Sequence, residues 1–177
     1  IELARKIMEG DEQVDRAQKK IENICFNLIV EQQPVAKDLR TITAALKMVT
    51  DMERIGDHAA DISEITVFLA RNNIKVNFDH IGKMATETVM MLNHSIEAYV
   101  ERDREKARKV IEHDDVVDEL FNQVKDDIIA HIRSNPDAGE EAADLLMVAK
   151  YFERIGDHAT NIAEWVIYSL QTVDEQS

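Results

Sequence analysis

Met52-Glu53-Arg54-Ile55-Gly56-Asp57-His58-Ala59-Ala60-Asp61-Ile62 recurs 100 residues later as Phe152-Glu153-Arg154-Ile155-Gly156-Asp157-His158-Ala159-Thr160-Asn161-Ile162. Seven consecutive identities, Glu-Arg-Ile-Gly-Asp-His-Ala, rule out chance, and self-similarity at a fixed offset marks a repeat architecture. A second block lies upstream: Ala4-Arg5-Lys6-Ile7-Met8-Glu9-Gly10-Asp11 resembles Ala107-Arg108-Lys109-Val110-Ile111-Glu112-His113-Asp114, here at an offset of 103. It extends to Asp15 and Asp118, so each half carries Asp-x-x-x-Asp. The difference in offset is absorbed around Gln33-Pro34 and Asn135-Pro136, both plausible helix breaks.

Both repeats read as helix. Leu39, Ile42, Leu46 and Val49 follow a 3–4 spacing, with Met52, Ile55, Ala59 and Ile62 as an adjacent stripe; Leu145, Val148, Phe152, Ile155, Ala159, Ile162 and Val166 do the same. Only 5 Gly and 2 Pro interrupt 177 residues, and aromatics are 5% beside 45% apolar residues, so the core is built from Leu, Ile, Val, Met and Ala, as in helix bundles. The expected fold is all-α, with two similar three-helix bundles in tandem: a first unit over 1–73 and a second over 74–177. The first unit is expected to hold a short helix near 1–9, a helix near 11–31 and a long one near 35–71, ended by a polar turn at Asn72-Asn73. The second is expected to have helices near 77–101, 103–112, 114–133 and 139–172. The segment 77–101 has no counterpart before Ile1, so the first unit lacks its N-terminal helix. Either an extension of about 35–40 residues or another chain is expected to cover the open face, judged from the length of that helix.

The net charge is −14, from 21 basic and 35 acidic residues. So acidic a surface repels phosphate backbones and anionic lipid, which argues against nucleic acid and against direct membrane binding. No apolar run approaches the ~20 residues of a membrane span, and there is no signal peptide. Cys25 is the only cysteine, which excludes an intramolecular disulfide and fits a reducing compartment. Set in Ile24-Cys25-Phe26, it reads as a small buried hydrophobe.

The chemistry lies in the carboxylates. Glu53 and Asp57 are four apart and project from one helix face; Glu153 and Asp157 repeat this. Asp11 and Asp15, and Asp114 and Asp118, give the same spacing on the preceding helices. If antiparallel neighbours bring these pairs face to face, each unit assembles four carboxylates that repel one another unless something neutralises them. A hard cation would, since oxygen-only ligand sets suit Mg²⁺, Ca²⁺, Mn²⁺ or iron. Arg54 and Arg154 could also contribute, although they sit about 100° around the helix. The alternative reading is a solvated acidic face. Gly56 and Gly156, each between its Glu and its Asp, suggest either room for a ligand or tight helix packing. His58 and His158 point away from the adjacent Asp and read as supporting or packing residues. Lys37, Asp38 and Arg40 open a long helix and read as a cap, as local pairs or as a partner contact. No Glu-x-x-His, His-Glu-x-x-His, Gly-x-x-x-x-Gly-Lys, Gly-x-Gly-x-x-Gly or Gly-x-Ser-x-Gly occurs, so ferritin-type oxidation, zinc proteolysis and nucleophile-plus-base catalysis lack a recognisable seat.

The doubled Glu-Arg-Ile-Gly-Asp-His-Ala, the stretch Gln33-Pro34-Val35-Ala36-Lys37-Asp38-Leu39-Arg40 and the terminal Asn161-Ile162-Ala163-Glu164-Trp165 together resemble the PhoU family, across essentially the whole chain. The resemblance implies two three-helix bundles related by a pseudo-twofold axis, often as a homodimer. It implies one metal cluster per bundle, of iron or zinc: Asp11, Asp15, Glu53 and Asp57 in the first, Asp114, Asp118, Glu153 and Asp157 in the second. Asp61 could add an oxygen where its repeat mate is Asn161, so the clusters need not be equal. It further implies a non-enzymatic, cytoplasmic adaptor, held at the membrane periphery through a transporter. Such a protein negatively regulates high-affinity phosphate transport and phosphate-starvation signalling, with the phosphate ABC transporter's ATPase subunit and a sensor histidine kinase as partners. A carboxylate–metal phosphoesterase, an accessory of an ion-coupled phosphate carrier and a purely structural helical adaptor are the rival readings.

Overall fold

The computed structural model describes residues 1–72 and 79–171. Five long helices account for nearly all of it: α1 Glu2–Gln32, α2 Ala36–Arg71, α3 Asp79–Glu101, α4 Arg104–Ser134 and α5 Gly139–Ser169, with a 3₁₀ turn at Pro136–Ala138. No strand occurs among the described residues. α2 has 36 residues, which makes it a rod of about 50 Å.

Two expected breaks are absent. Residues 1–9 and 11–31 form one continuous helix, and so do 103–112 and 114–133. Gly10 costs that helix only about 1 kcal/mol relative to Ala, and the segment has no proline to stop it. His113, at the equivalent position, is held in the helix with Nε2 2.7 Å from Glu87 Oε2 on α3. The real stops have clear chemistry. α1 ends at Gln33, in the left-handed region at φ 44°, just before Pro34. α3 passes through Arg102 at φ 57° into Asp103, whose Oδ1 accepts from the backbone N–H groups of Glu105 (2.9 Å) and Lys106 (3.0 Å). The expected turn at Asn72-Asn73 lies partly outside the described residues, as do the first residues of the helix expected from 77 and the last of the one expected to reach 172.

α3, α4 and α5 pack mutually into a three-helix bundle, whereas among the described residues α1 contacts α2 alone. The bundle core is mainly apolar: Met84, Met91, Val117, Val124, Ile162 and Val166 are all fully buried, and the buried hydroxyls of Thr88 and Ser95 donate to the backbone carbonyls of Met84 and Leu92. Two further histidine–carboxylate pairs tie α4 to its neighbours, His80 Nδ1 to Asp127 Oδ2 at 2.7 Å and His131 Nε2 to Glu141 Oε1 at 2.9 Å. The repeat mates in the first unit show what a third helix does. Val110 is 2% exposed, but Ile7 is 39%; Val124 is 0%, but Ile21 is 37%. Among the described residues no helix covers the corresponding side of α1 and α2. Cys25 is buried, and burial, then Glu22, push its thiol up, which suits an inert packing residue.

The units join through α2 and α5. His158 Nδ1 lies 2.8 Å from Asp51 Oδ1, which also accepts from Asn161 Nδ2 at 3.1 Å. At the related place the His58 ring lies 5.3 Å from Tyr151. Asp51 and Tyr151 are repeat mates, as are His58 and His158, so the contacts pair residues running in opposite directions on antiparallel helices. A pseudo-twofold axis therefore passes between the two imidazoles, whose centroids are 5.7 Å apart. Burial, then His158 and Arg154, hold His58 below its ordinary value, against the opposing pull of Asp61.

Candidate metal centre

The carboxylates of the first unit come from the facing sides of α1 and α2. Asp11, Asp15 and Asp57 each offer an oxygen, and those atoms all lie within 4.8 Å of one another. Asp11 Oδ1 is buried without a hydrogen-bond partner. A carboxylate oxygen taken from water and left unpaired is costly, and a cation is what this donor set fits. Burial, then the charges of Asp57, Asp15 and Asp61, push Asp11 up; burial, then Asp57, push Glu53 up. Glu53 flanks the triad and does not join it; Arg54 Nε lies 3.6 Å from its Oε2. Arg54 also donates through Nη1 to Asp57 Oδ2 at 3.0 Å.

In the second unit Asp114, Asp118, Glu153 and Asp157 take equivalent places. Burial, then Asp157 and Asp118, push Asp114 up, and burial, then Glu153 and Asp118, push Asp157 up. Yet these four do not converge as the first three do; the triad of α1 and α2 is what comes together among the described residues. The second unit also carries Lys150, whose ammonium donates to Glu153 and lies 5.4 Å from the Phe121 ring. Its repeat mate is Thr50, and the mate of Phe121 is Gln18. One unit thus carries an internal ammonium where the other has a hydroxyl. Nothing in the repeated motif announces this, because position 150 lies just outside it. Asp61 faces Tyr151 on α5 and keeps its Oδ2 3.8 Å from His58 Nδ1 on its own helix. Asp51 and Tyr151, which sequence reasoning passed over, precede the motif by one residue and differ between the two copies.

The two glycines differ in how closely their neighbours approach. A Cβ on Gly56 would meet Val14 Cγ1 at 3.2 Å and Asp11 Oδ1 at 3.4 Å; on Gly156 it would meet Val117 Cγ1 at 3.5 Å and Asp114 Oδ1 at 3.6 Å. Gly56 thus lets α1 and α2 pack closely, whereas the packing of α4 on α5 leaves room for a Cβ at Gly156. Gly156→Ala meets only ordinary contacts, so it is expected to stabilise the fold by about 0.5–1 kcal/mol through helix propensity. Gly56→Ala should lose that gain to the crowded Val14. Urea denaturation of both variants checks the difference, and equal gains would contradict it.

The raised carboxylates set a pH dependence. Asp11, Glu53, Asp114 and Asp157 bind protons more tightly folded than unfolded. Without metal, the folded chain therefore loses stability as pH rises from the ordinary carboxylate values, 3.8 for Asp and 4.5 for Glu, through the raised ones. In chelator the melting temperature is expected to be higher at pH 5 than at pH 7.5, and Asp11→Asn should narrow the gap. A bound cation favours the ionised forms and should reverse the slope. A metal-free chain that melts higher at pH 7.5 would contradict the assignment.

The arrangement is a tandem-repeat helical protein with acidic clusters between helix pairs and, among the described residues, no nucleophile–base pair beside them. The PhoU domain model matches residues 1–66 and 81–166, and the chain belongs to the PhoU domain family. The "Phosphate-specific transport system accessory protein PhoU homolog" of Clostridium acetobutylicum is 39% identical over 170 residues, covering 94% of this chain and 76% of the relative. "Homolog 1" of Thermotoga maritima is 34% identical over 167 residues, covering 94% and 72%. The crystal structure of PhoU from Pseudomonas aeruginosa superposes with a TM-score of 0.91 at 28% identity, covering 95% of this chain and 81% of that one. The chain is thus similar to proteins named as accessory proteins of phosphate-specific transport systems.

Proposed function

We propose that this protein is a metal-bearing regulatory adaptor of high-affinity phosphate transport. The transport role follows its relatives, which are named accessory proteins of phosphate-specific transport systems. The observation that carries the metal is the Asp11–Asp15–Asp57 triad with its unpaired buried Oδ1. Asp11, Asp15 and Asp57, with Glu53 beside them, would hold the first cluster, and Asp114, Asp118, Glu153 and Asp157 the second. Iron or zinc is the ion the family resemblance implies. Bound there, it would supply charge neutralisation and rigidity: it would tie α1 to α2 and α4 to α5 and fix the surface a partner reads. No helix among the described residues is long and apolar enough to cross a membrane, so attachment to a transporter would run through protein contacts. The partners would be the transporter's ATPase subunit and a sensor histidine kinase, with the adaptor as a homodimer, damping uptake and starvation signalling when phosphate is plentiful.

The test is a phosphate-starvation reporter in a strain lacking the gene. At high phosphate the reporter should be on, and the wild-type gene should silence it. A reporter that stays silent without the gene would overturn the reading.

A further inference from the structure

One face of the α2–α5 pair carries a groove of 540 Å³, within the range of ligand-sized cavities. Ile65, Phe68 and Ala143 form its apolar lining, and Asp61, Glu64, Glu140 and Asp144 add four carboxylates, while no lysine or arginine among the described residues lines it. Phe68 is 52% exposed, a large apolar side chain left in water.

The pseudo-twofold axis gives this groove an internal reference, since each lining residue has a mate at the other end of the helix pair. Ile65 corresponds to Trp165 and Phe68 to Tyr168. Trp165 is packed against the core, and its ring meets Tyr168 edge-on at 5.4 Å. An indole thus fills space at one end where a smaller aliphatic chain stands at the other. Three charge differences add negative charge, Arg40 becoming Glu140, Ala44 becoming Asp144 and Asn161 becoming Asp61, against one that removes it, Asp51 becoming Tyr151. Three independent changes that each add negative charge around an emptied apolar slot are not what packing alone requires.

We propose that the groove between α2 and α5 docks a basic amphipathic helix of a partner protein, with a large apolar side chain seated against Ile65 and Phe68 and its lysines and arginines facing the four carboxylates. A groove between two helices suits a third helix, which offers anchors on one face and charge beside them. The acidic rim would speed encounter and reject acidic partners. The inference deepens the adaptor reading and rests on it only in that an adaptor needs a partner; it does not depend on metal or phosphate.

The experiment uses the full-length protein and a labelled synthetic amphipathic helix with Lys and Arg on one face and Leu and one Trp on the other. Binding is read by fluorescence anisotropy. Three variants accompany it: Ile65→Trp, which installs the mate's side chain in the slot; Glu140→Arg, which reverses charge at an exposed rim position; and Asp126→Arg, the same charge change on an exposed face of α4. The expected result is saturable binding that weakens at least tenfold in Ile65→Trp and in Glu140→Arg, weakens with salt, and is unchanged in Asp126→Arg. Absence of binding would overturn the proposal, as would equal affinity in wild type, Ile65→Trp and Glu140→Arg. Equal losses in Glu140→Arg and Asp126→Arg would reduce the effect to net charge and overturn it too. A silent starvation reporter in the gene-deleted strain, with peptide binding intact, would instead remove the phosphate role and leave the groove.

Discussion

Ile162→Ala is expected to destabilise the chain by about 3–5 kcal/mol, and Ile62→Ala by about 1–2 kcal/mol. The two residues occupy the same place in the repeated motif. Ile162 is fully buried among the residues of α3, α4 and α5, whereas Ile62 is only partly buried against that core. Truncation at Ile162 leaves a cavity enclosed on every side, and the surrounding helices can close it only in part. At Ile62 the neighbouring side is open, so water already reaches part of the side chain and less is lost. Urea denaturation of the two variants gives the comparison directly. Equal costs would mean that the first unit is as well covered as the second, contrary to the exposure of Ile7 and Ile21.

The second large effect concerns Lys150. Its ammonium already neutralises Glu153, so a cation binding the second cluster must displace it or leave Glu153 out. Lys150→Thr, which copies the first unit, is expected to raise the metal affinity of the second cluster at least tenfold. Thr50→Lys, which copies the second unit, should lower that of the first by a similar factor, the range in which outer partners of metal ligands act. Arg54 does not spoil the comparison. Its side chain is 57% exposed, so it can swing into solvent when an ion arrives. Calorimetric titration of the metal-free variants measures both. If neither substitution moves the affinity, the ammonium does not control the site.

Much of this was legible in the sequence because the repeat supplied its own alignment. The doubled motif determined the two long helices, their register and the all-α class, and the Asp-x-x-x-Asp pairs identified which faces of α1 and α4 turn toward α2 and α5. Gly56 was readable as a close approach because glycine inside a helix has a cost that something must offset, whereas Gly156 has room for a Cβ. What was not legible depended on single residues outside the motif. Gly10 and His113 looked like breaks, yet a lone glycine or histidine without proline or a capping side chain does not stop a helix. Lys150, three residues before Glu153 and so about one turn away along α5, changes the second cluster through one charge that periodicity cannot register. The pairing of Asp51 with His158 arises only when two distant helices cross, so no local pattern encodes it. The groove became visible only when Ile65 and Trp165 could be compared as occupants of related space.

The central claim is that the paired carboxylates hold metal. The most direct test is elemental mass spectrometry of full-length protein purified without a metal-affinity tag, beside an Asp11→Asn/Asp57→Asn/Asp114→Asn/Asp157→Asn variant. Iron or zinc bound stoichiometrically to the wild type and lost from the variant, with helical content unchanged, is the expected result. No bound metal in the wild type, or equal metal in both proteins, would contradict it.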